Sequence, residues 1–188
     1  MLEGKNIVIG VSGGIAAYKA VEAVSRLVKA GAGVDVVMTE NAMHFVDPLT
    51  FRTISERPVV TGMFDEPKHW DVKHISLSRK ADLIVVIPAT ANIIGKVANG
   101  IADDMLTTTI MGANCPVVFA PAMNTSMYEN SIVQANIERL TELGYLFIEP
   151  DAGRLACGET GKGRLAEPSA IVEFIDRCLS ATKELKGV

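Results

Sequence analysis

The sequence has no excess of basic residues and no long uninterrupted apolar run, and each absence argues against one class of partner. Its 188 residues include 18 Lys and Arg against 22 Asp and Glu, a formal net charge of −4. Proteins that bind nucleic-acid backbones carry a basic surface, so no nucleic-acid partner is expected. The best candidate for a membrane helix, residues 83–95, is interrupted by Pro88 and is shorter than the roughly 20 residues required. No membrane partner is expected either.

Export features and cysteines are also scarce. The N-terminal residues lack the basic segment and following apolar segment of a secretory signal, which predicts a cytoplasmic protein. The three cysteines, Cys115, Cys157 and Cys178, have no metal-like spacing and are expected as free thiols. Cys115 and Cys178 are expected to be packing residues, whereas Cys157 lies in a glycine-rich stretch.

Strand-like and helix-like segments alternate along the chain. Apolar, β-branched runs cover residues 5–11, 33–40, 81–90, 115–123 and 145–150. Helical segments cover residues 15–31, 91–98, 103–112, 129–143 and 168–182. This alternation predicts an α/β fold, a single Rossmann-like domain with an open parallel sheet and helices on both faces. We expect that domain to span residues 1–180, and the polar tail 181–188 to be a linker or the truncated start of a following domain.

The first two predicted strands end in small and hydroxyl-bearing residues. Ser12, Gly13 and Gly14 follow the first strand, and Thr39 ends the second. Ligands of such sheets bind beyond the carboxyl ends of the strands, and a glycine loop before a helix offers backbone N–H groups to a phosphate. The spacing matches neither the dinucleotide fingerprint nor the Walker A loop, so a monophosphate is favoured over a dinucleotide. A tight turn without a ligand is the alternative.

The third strand ends in residues suited to a flat ring. Pro88, Ala89, Thr90 and Asn92 combine small side chains with two hydrogen-bonding groups. Farther along, a metal site at residues 103–104 is disfavoured because neighbouring helical residues point in different directions. No metal is predicted, and Asp103 is predicted to cap the following helix.

The fourth strand leads into the segment PAMNTSMYEN, which presents Asn124 where the sheet opens to solvent. The histidines have no distinctive context by themselves, including His74, which is expected just before a short helix. Residues 151–168 hold four glycines and Cys157, a composition that suits a mobile flap over a site. Cys157 could there deliver a proton to a bound substrate; an incidental surface thiol is the alternative.

Together and in this order, these segments resemble the flavin-containing cysteine decarboxylase family. The resemblance extends from about residue 4 to residue 178 and is carried by GVSGGIAAYK, His74, PATANIIGK, GIADDMLTT, PAMNTSMY and ACGETGKGRLAEP. One position departs from the family motif P-x-M-N-x-x-M-W, because Tyr128 stands in place of the tryptophan. More narrowly, the resemblance is to the branch that decarboxylates 4′-phosphopantothenoylcysteine to 4′-phosphopantetheine in coenzyme A biosynthesis.

The resemblance implies FMN as the cofactor and assigns roles to particular residues. Asn124 would hold the substrate carboxylate, with Ala122 and Met123 beside the substrate. His74 matches the active-site histidine, Cys157 the flap cysteine that donates the last proton, and Lys162 a flap position that supports this step. The residues expected to bind FMN are the strand-end ones: Ser12, Gly13, Gly14, Thr39, Pro88, Ala89, Thr90 and Asn92.

The implied chemistry explains these residue types. FMN would first take two electrons from the thiol-bearing carbon, which gives a thioaldehyde. Carbon dioxide then leaves as an enethiolate forms, and the reduced flavin returns a hydride while Cys157 gives a proton. The flavin supplies the difficult chemistry, and the protein supplies placement and charge control.

The family also implies an assembly and leaves rivals open. A homotrimer, or a dodecamer of four trimers, would place the site between subunits, with His74 reaching a neighbouring chain. In many bacteria the domain is fused to a phosphopantothenate–cysteine ligase. The rivals are a flavin prenyltransferase, a peptidyl-cysteine decarboxylase and a catalytically silent flavin-binding regulatory protein. Asn124 and the flap with Cys157 count against the first, and the segment ACGETGKGRLAEP favours a small phosphorylated substrate over the peptide of the second. The presence of His74, Asn124 and Cys157 together counts against the third.

Overall fold

A six-stranded parallel sheet forms the centre of the computed structural model, which describes residues 2–63, 73–154, 158 and 160–185. The strands are β1 Asn6–Val11, β2 Gly33–Met38, β3 Val59–Val60, β4 Leu83–Ala89, β5 Val117–Pro121 and β6 Leu146–Phe147. Their order is β3-β2-β1-β4-β5-β6, and every neighbouring pair is parallel. Strands β2 and β3 therefore lie on one side of β1, and strands β5 and β6 lie on the other side of β4. The carboxyl ends of β1 and β4 mark the switch point where such sheets bind ligands.

Helices cover both faces of the sheet, as the alternating pattern predicts. They are α1 Ala17–Lys29, α2 Pro48–Ser55, α3 Lys73–Lys80, α4 Ala91–Ala98, α5 Met105–Met111, α6 Thr125–Tyr128, α7 Ser131–Glu142 and α8 Pro168–Leu185, with a 3-10 helix at Glu40–His44. Apolar residues of α1, α2 and α8 pack on one face, and those of α4, α5 and α7 pack on the other. The α/β fold with a parallel sheet is thus confirmed.

The central strand β4 shows why its sequence is nearly all apolar. All seven of its residues are buried. Because side chains alternate across a strand, Leu83 and Val85 enter the core under α1, whereas Ile84 and Val86 enter the core under α4.

A separate antiparallel hairpin follows the sheet, formed by β7 Asp151–Arg154 and β8 Thr160–Arg164. Sequence analysis treats residues 151–168 as a polar flap and does not predict these strands. β8 is exposed along most of its length and rich in glycine, so it lacks the apolar alternation that marks a strand. The hairpin packs beside α6, and this contact places it at the edge of the sheet that carries Asn124.

Some local predictions are wrong in detail. His74 is the second residue of α3 rather than a residue before the helix. The cap of α5 is Asp104, not Asp103. The Asp104 side chain accepts from the Thr107 N–H at 2.8 Å, and the Thr107 hydroxyl oxygen accepts from the Asp104 N–H at 3.2 Å. α8 continues to Leu185, beyond the predicted helix end at residue 182.

Within the described ranges, no helix has both the length and the apolar character needed to cross a bilayer.

Candidate functional site

The loops after β1 and β4 are tied together at the switch point. The buried Ser12 hydroxyl donates to the carbonyl oxygen of Pro88 at 2.7 Å and lies 3.2 Å from the Thr90 Oγ1. The Thr90 N–H donates back to the Ser12 Oγ at 3.2 Å. These bonds connect residues more than seventy positions apart, so the two loops form one rigid wall.

The loops after β1 and β2 are also in close contact with each other. A Cβ added to Gly13 would lie 2.4 Å from the Asn41 Cβ and 2.9 Å from the Asn41 carbonyl carbon. Thr39, at the end of β2, accepts the Ala42 N–H at 3.2 Å and thereby begins the 3-10 helix that carries Asn41. Glycine at position 13 is therefore required by the packing of these loops, whatever they bind.

A cleft of about 1120 Å³ opens above these loops. Its walls combine glycines and hydroxyls, amide side chains, apolar side chains and charged groups. The lining residues of greatest chemical interest are Ser12, Gly13, Gly14, Ile15, Lys19, Thr39, Asn41, Thr90, Asn92, Ile93, Lys96, Asp103, Asp104, Ala122, Met123, Asn124, Met127 and Arg164.

Asn124 lies on the turn that leaves β5 and enters α6. Its side-chain oxygen accepts the Ser126 N–H at 2.8 Å, which caps α6 and fixes the orientation of the carboxamide. The same turn is joined to β4 by a hydrogen bond from the Ala122 N–H to the Ala89 carbonyl at 3.1 Å. With the oxygen engaged in capping, the amide nitrogen is the part of Asn124 suited to donate to an anionic ligand.

Most of the charged residues in the cleft wall form ion pairs. The Lys96 ammonium lies 2.7 Å from Asp103 and 3.6 Å from Asp104. The hydrogen bond with Asp103 raises the pKa of Lys96, and the same bond lowers the pKa of Asp103. At the rim, Lys19 and Arg164 share the carboxylate of Glu167 at 3.3 and 2.7 Å, which leaves one net positive charge in that trio.

The hairpin is docked directly on the turn that carries Asn124. The Met123 N–H donates to the Gly163 carbonyl at 2.9 Å. A Cβ at Gly163 would lie only 2.4 Å from the Met123 carbonyl oxygen, and one at Gly161 only 2.3 Å from the Thr125 Oγ1. Glycines in β8 therefore allow its backbone to approach the turn closely.

The structure brings most of the predicted site residues to the cleft. Those that line it are Ser12, Gly13, Gly14, Thr39, Thr90, Asn92, Ala122, Met123 and Asn124. Pro88 and Ala89 are buried behind the wall and are not among the lining residues. His74 lies half-buried on α3, which packs against α5, and Lys162 lies on β8; neither lines the cleft of this chain. Cys157 lies outside the described residues.

Sequence reasoning missed three cations in the cleft wall: Lys19, Lys96 and Arg164. A signal was available for Lys96, because it follows Asn92 by four residues and thus shares its helix face. Lys19 likewise lies within the first turn of α1, just beyond the glycine loop. No local pattern marks Arg164, since its position depends on how the hairpin docks.

The fold and the cleft belong to a known class of protein. The chain matches the Flavoprotein family over residues 1–180, and it is a member of that family. The resemblance seen in the sequence is thereby confirmed at the level of the family.

The similar proteins are more specific. The chain is 54% identical over 177 residues to the coenzyme A biosynthesis bifunctional protein CoaBC of Bacillus subtilis, covering 94% of this chain and 44% of that relative. This chain thus spans less than half the length of that relative. A solved structure of a PPC decarboxylase mutant complexed with pantothenoylaminoethenethiol superposes with a TM-score of 0.82 at 34% identity, covering 92% of this chain and 96% of that one. The FMN-dependent cysteine decarboxylase SpaF matches with a TM-score of 0.78 at 33% identity, covering 96% and 98%.

Proposed function

We propose that this chain is an FMN-dependent decarboxylase that converts 4′-phosphopantothenoylcysteine to 4′-phosphopantetheine. The observation that carries the proposal is the position of the Asn124 carboxamide, which lies in the cleft wall with its oxygen held by its own helix cap. The names of the similar proteins, a PPC decarboxylase and bifunctional coenzyme A biosynthesis proteins, support the same substrate.

The cleft fits FMN. Its volume of about 1120 Å³ is at the upper end of ordinary ligand sites, so it has room for a flavin together with a substrate. Ser12, Gly13 and Gly14 offer backbone N–H groups, and Thr39 offers a hydroxyl proton, for a phosphate near the start of α1. Thr90 and Asn92, on the opposite loop, offer polar groups for the edge of the ring system.

When bound, FMN supplies the reversible two-electron oxidation that makes loss of carbon dioxide possible. The protein supplies placement. Asn124 donates from its amide nitrogen to the substrate carboxylate, and Ala122 and Met123 form the adjoining wall. A neutral amide suits this role because it orients the carboxylate without the strong attraction of a cation, which would oppose its conversion to neutral carbon dioxide.

Two further groups complete the proposed site. Cys157 is proposed to give a proton to the substrate in the last step, and Lys162 to support that step from the hairpin. Lys162 pairs with Glu149 at 2.8 Å, so its ammonium acts from a distance rather than inside the cleft.

His74 requires a second chain in this proposal. It lies on α3 outside the lining of the cleft of its own chain, and we propose that it acts in the cleft of a neighbouring chain within a homotrimer or a dodecamer. Exposed apolar side chains support this assembly: Ile15 and Tyr18, which line the cleft, are 58% and 59% exposed, and Phe45, at the end of the 3-10 helix, is 48% exposed. Because the similar CoaBC protein is bifunctional, we further propose that residues 181–188 lead toward a phosphopantothenate–cysteine ligase. We also propose that the protein is cytoplasmic.

Incubation of the protein with FMN and 4′-phosphopantothenoylcysteine tests the function directly. Carbon dioxide and 4′-phosphopantetheine should form in equal amounts. The Asn124→Asp variant should retain FMN, because Asp caps a helix as well as Asn does, but the carboxylate would repel the substrate and turnover should fall at least a hundredfold.

Asn130→Asp is a matched control. Asn130 caps α7 through the same contact, its side-chain oxygen accepting the Ile132 N–H at 2.9 Å, and it does not line the cleft. This variant should turn over like the unaltered protein. If Asn124→Asp is as active as Asn130→Asp, Asn124 does not have the proposed role. If the unaltered protein releases no carbon dioxide, the proposed function is refuted.

A further inference from the structure

Lys162 is held between two side chains from different parts of the fold. Its ammonium lies 2.8 Å from the Glu149 carboxylate and 5.6 Å from the centre of the Tyr128 ring. The hydrogen bond with Glu149 raises the pKa of Lys162, and burial raises the pKa of Tyr128. At neutral pH the contact therefore joins a cation, a carboxylate and a neutral aromatic ring, which is the arrangement of a cation–π contact reinforced by an ion pair.

The three residues connect the hairpin to the turn that carries Asn124. Tyr128 ends α6, the single helical turn that Asn124 begins. Tyr128 is 7% exposed, and its carbonyl oxygen accepts a hydrogen bond from the Gln134 side chain of α7. The ring is therefore a fixed point relative to Asn124, whereas Lys162 is carried by the exposed strand β8.

The backbone on either side of Lys162 touches the same turn. Gly163 accepts the Met123 N–H, and Gly161 lies against Thr125. The Thr125 hydroxyl oxygen is buried there without a hydrogen-bond partner among the described residues. Docking of β8 on the Asn124 turn therefore buries a hydroxyl without a hydrogen bond, which costs free energy, while most of β8 stays exposed. Other contacts are needed to keep β8 docked.

We propose that Tyr128 and Glu149 are positioning residues, which hold Lys162 and thereby keep β8 docked on the Asn124 turn. This inference rests on the proposed function for its consequence in catalysis: the docked hairpin maintains the geometry in which Asn124 receives the substrate carboxylate. We call the group formed by Tyr128, Glu149 and Lys162 the clasp. In this proposal the aromatic ring at position 128, tyrosine here and tryptophan in the family motif, serves to hold Lys162.

Hydrogen exchange tests the clasp without any assay of activity. The Met123 amide is a direct reporter, because its N–H is protected by the Gly163 carbonyl only while β8 is docked. The Ile148 amide, which donates to the Phe119 carbonyl at 2.9 Å within the main sheet, is the internal control. Tyr128→Leu and Glu149→Gln should each speed exchange of the Met123 amide about two- to fivefold, the size expected for an exposed cation–π contact or ion pair.

Two matched variants separate positioning from general stability. Tyr128→Trp should restore slow exchange, since tryptophan offers the best ring face for a cation. Glu22→Gln removes another exposed ion pair, between Glu22 and Arg26 at 2.7 Å on α1, and should leave the Met123 amide unchanged. If Met123 exchanges at the unaltered rate in both Tyr128→Leu and Glu149→Gln, the clasp does not hold the hairpin.

The same variants give a catalytic readout. With FMN and 4′-phosphopantothenoylcysteine, Glu149→Gln should lower kcat/KM about two- to fivefold, and Tyr128→Trp should match the unaltered protein. Faster exchange together with unchanged kinetics in Glu149→Gln would overturn the catalytic half of the inference. If the unaltered protein releases no carbon dioxide, the proposed function fails, and the exchange rates still decide whether the clasp exists.

Discussion

Replacement of Gly163 by alanine should undock the hairpin from the Asn124 turn. Gly163 has a φ of +132°, where any residue with a side chain is strained by about 1–3 kcal/mol. The added Cβ would lie 2.4 Å from the Met123 carbonyl oxygen, a backbone atom that cannot rotate away. β8 must therefore move, which also removes the hydrogen bond between Met123 and Gly163, worth about 1 kcal/mol.

These terms add to about 2–4 kcal/mol against the docked state, so exchange of the Met123 amide should rise about 30- to 900-fold, up to the rate of an unprotected amide. Production of 4′-phosphopantetheine should fall with it, while bound FMN is retained because Ser12 and Thr90 are untouched.

Gly144→Ala is the control for backbone strain alone. Gly144 has a φ of +90° with nothing within 4 Å of its added Cβ, and it lies after α7, away from the cleft. This variant should lose about 1 kcal/mol of stability in urea denaturation and keep its activity. The reasoning is refuted if Gly163→Ala leaves the Met123 amide as protected as Gly144→Ala does.

Further variants test the remaining assignments. Cys157→Ser should still release carbon dioxide but accumulate an oxidised thiol product, detected by mass spectrometry; normal 4′-phosphopantetheine output would remove the proton-donor role. His74→Asn should block carbon dioxide release, and mixing it with an Asn124→Asp chain should restore part of the activity if the site is shared between chains. Asp104→Ala removes the cap of α5 and should cost about 1 kcal/mol, seen as a fall of roughly 2–4 °C in Tm. Burial raises the pKa of Cys115 and of Cys178, so both thiols should stay protonated and alkylate more slowly at pH 8 than free cysteine, and their rates should rise with pH beyond the ordinary thiol range; labelling as fast as free cysteine would contradict this.

Much of the cleft could be predicted because its residues lie at the ends of strands. The periodicity of apolar residues predicts the strands. Because parallel strands all end at the same edge of a sheet, Ser12, Thr90 and Asn124 are then expected to lie together there. Sequence analysis misses β3 and the hairpin strands for different reasons. β3 has only two residues, and β8 is built of glycine and charged residues that carry no apolar pattern.

Errors of one residue also have a physical source. Asp103 and Asp104 are chemically equal candidates for the cap of α5, and local sequence does not distinguish them. In the folded chain, Asp103 lies closer to Lys96, at 2.7 Å against 3.6 Å for Asp104, and Asp104 accepts the Thr107 N–H of the first turn at 2.8 Å. That choice depends on the packing of α4 beside α5.

The amino-acid sequence by itself determined the alternation of strands and helices, the membership of the chain in its family, and the glycine, hydroxyl and amide residues that line the cleft. These follow from local periodicity and from short motifs. Only the tertiary structure decided which loops meet, such as the bond between Ser12 and Pro88 across 76 positions, and which side chains hold the hairpin. The reason is that strand order and hairpin docking are set by many distant contacts at once, so no single segment contains the information that brings Lys162 to Tyr128 and Glu149.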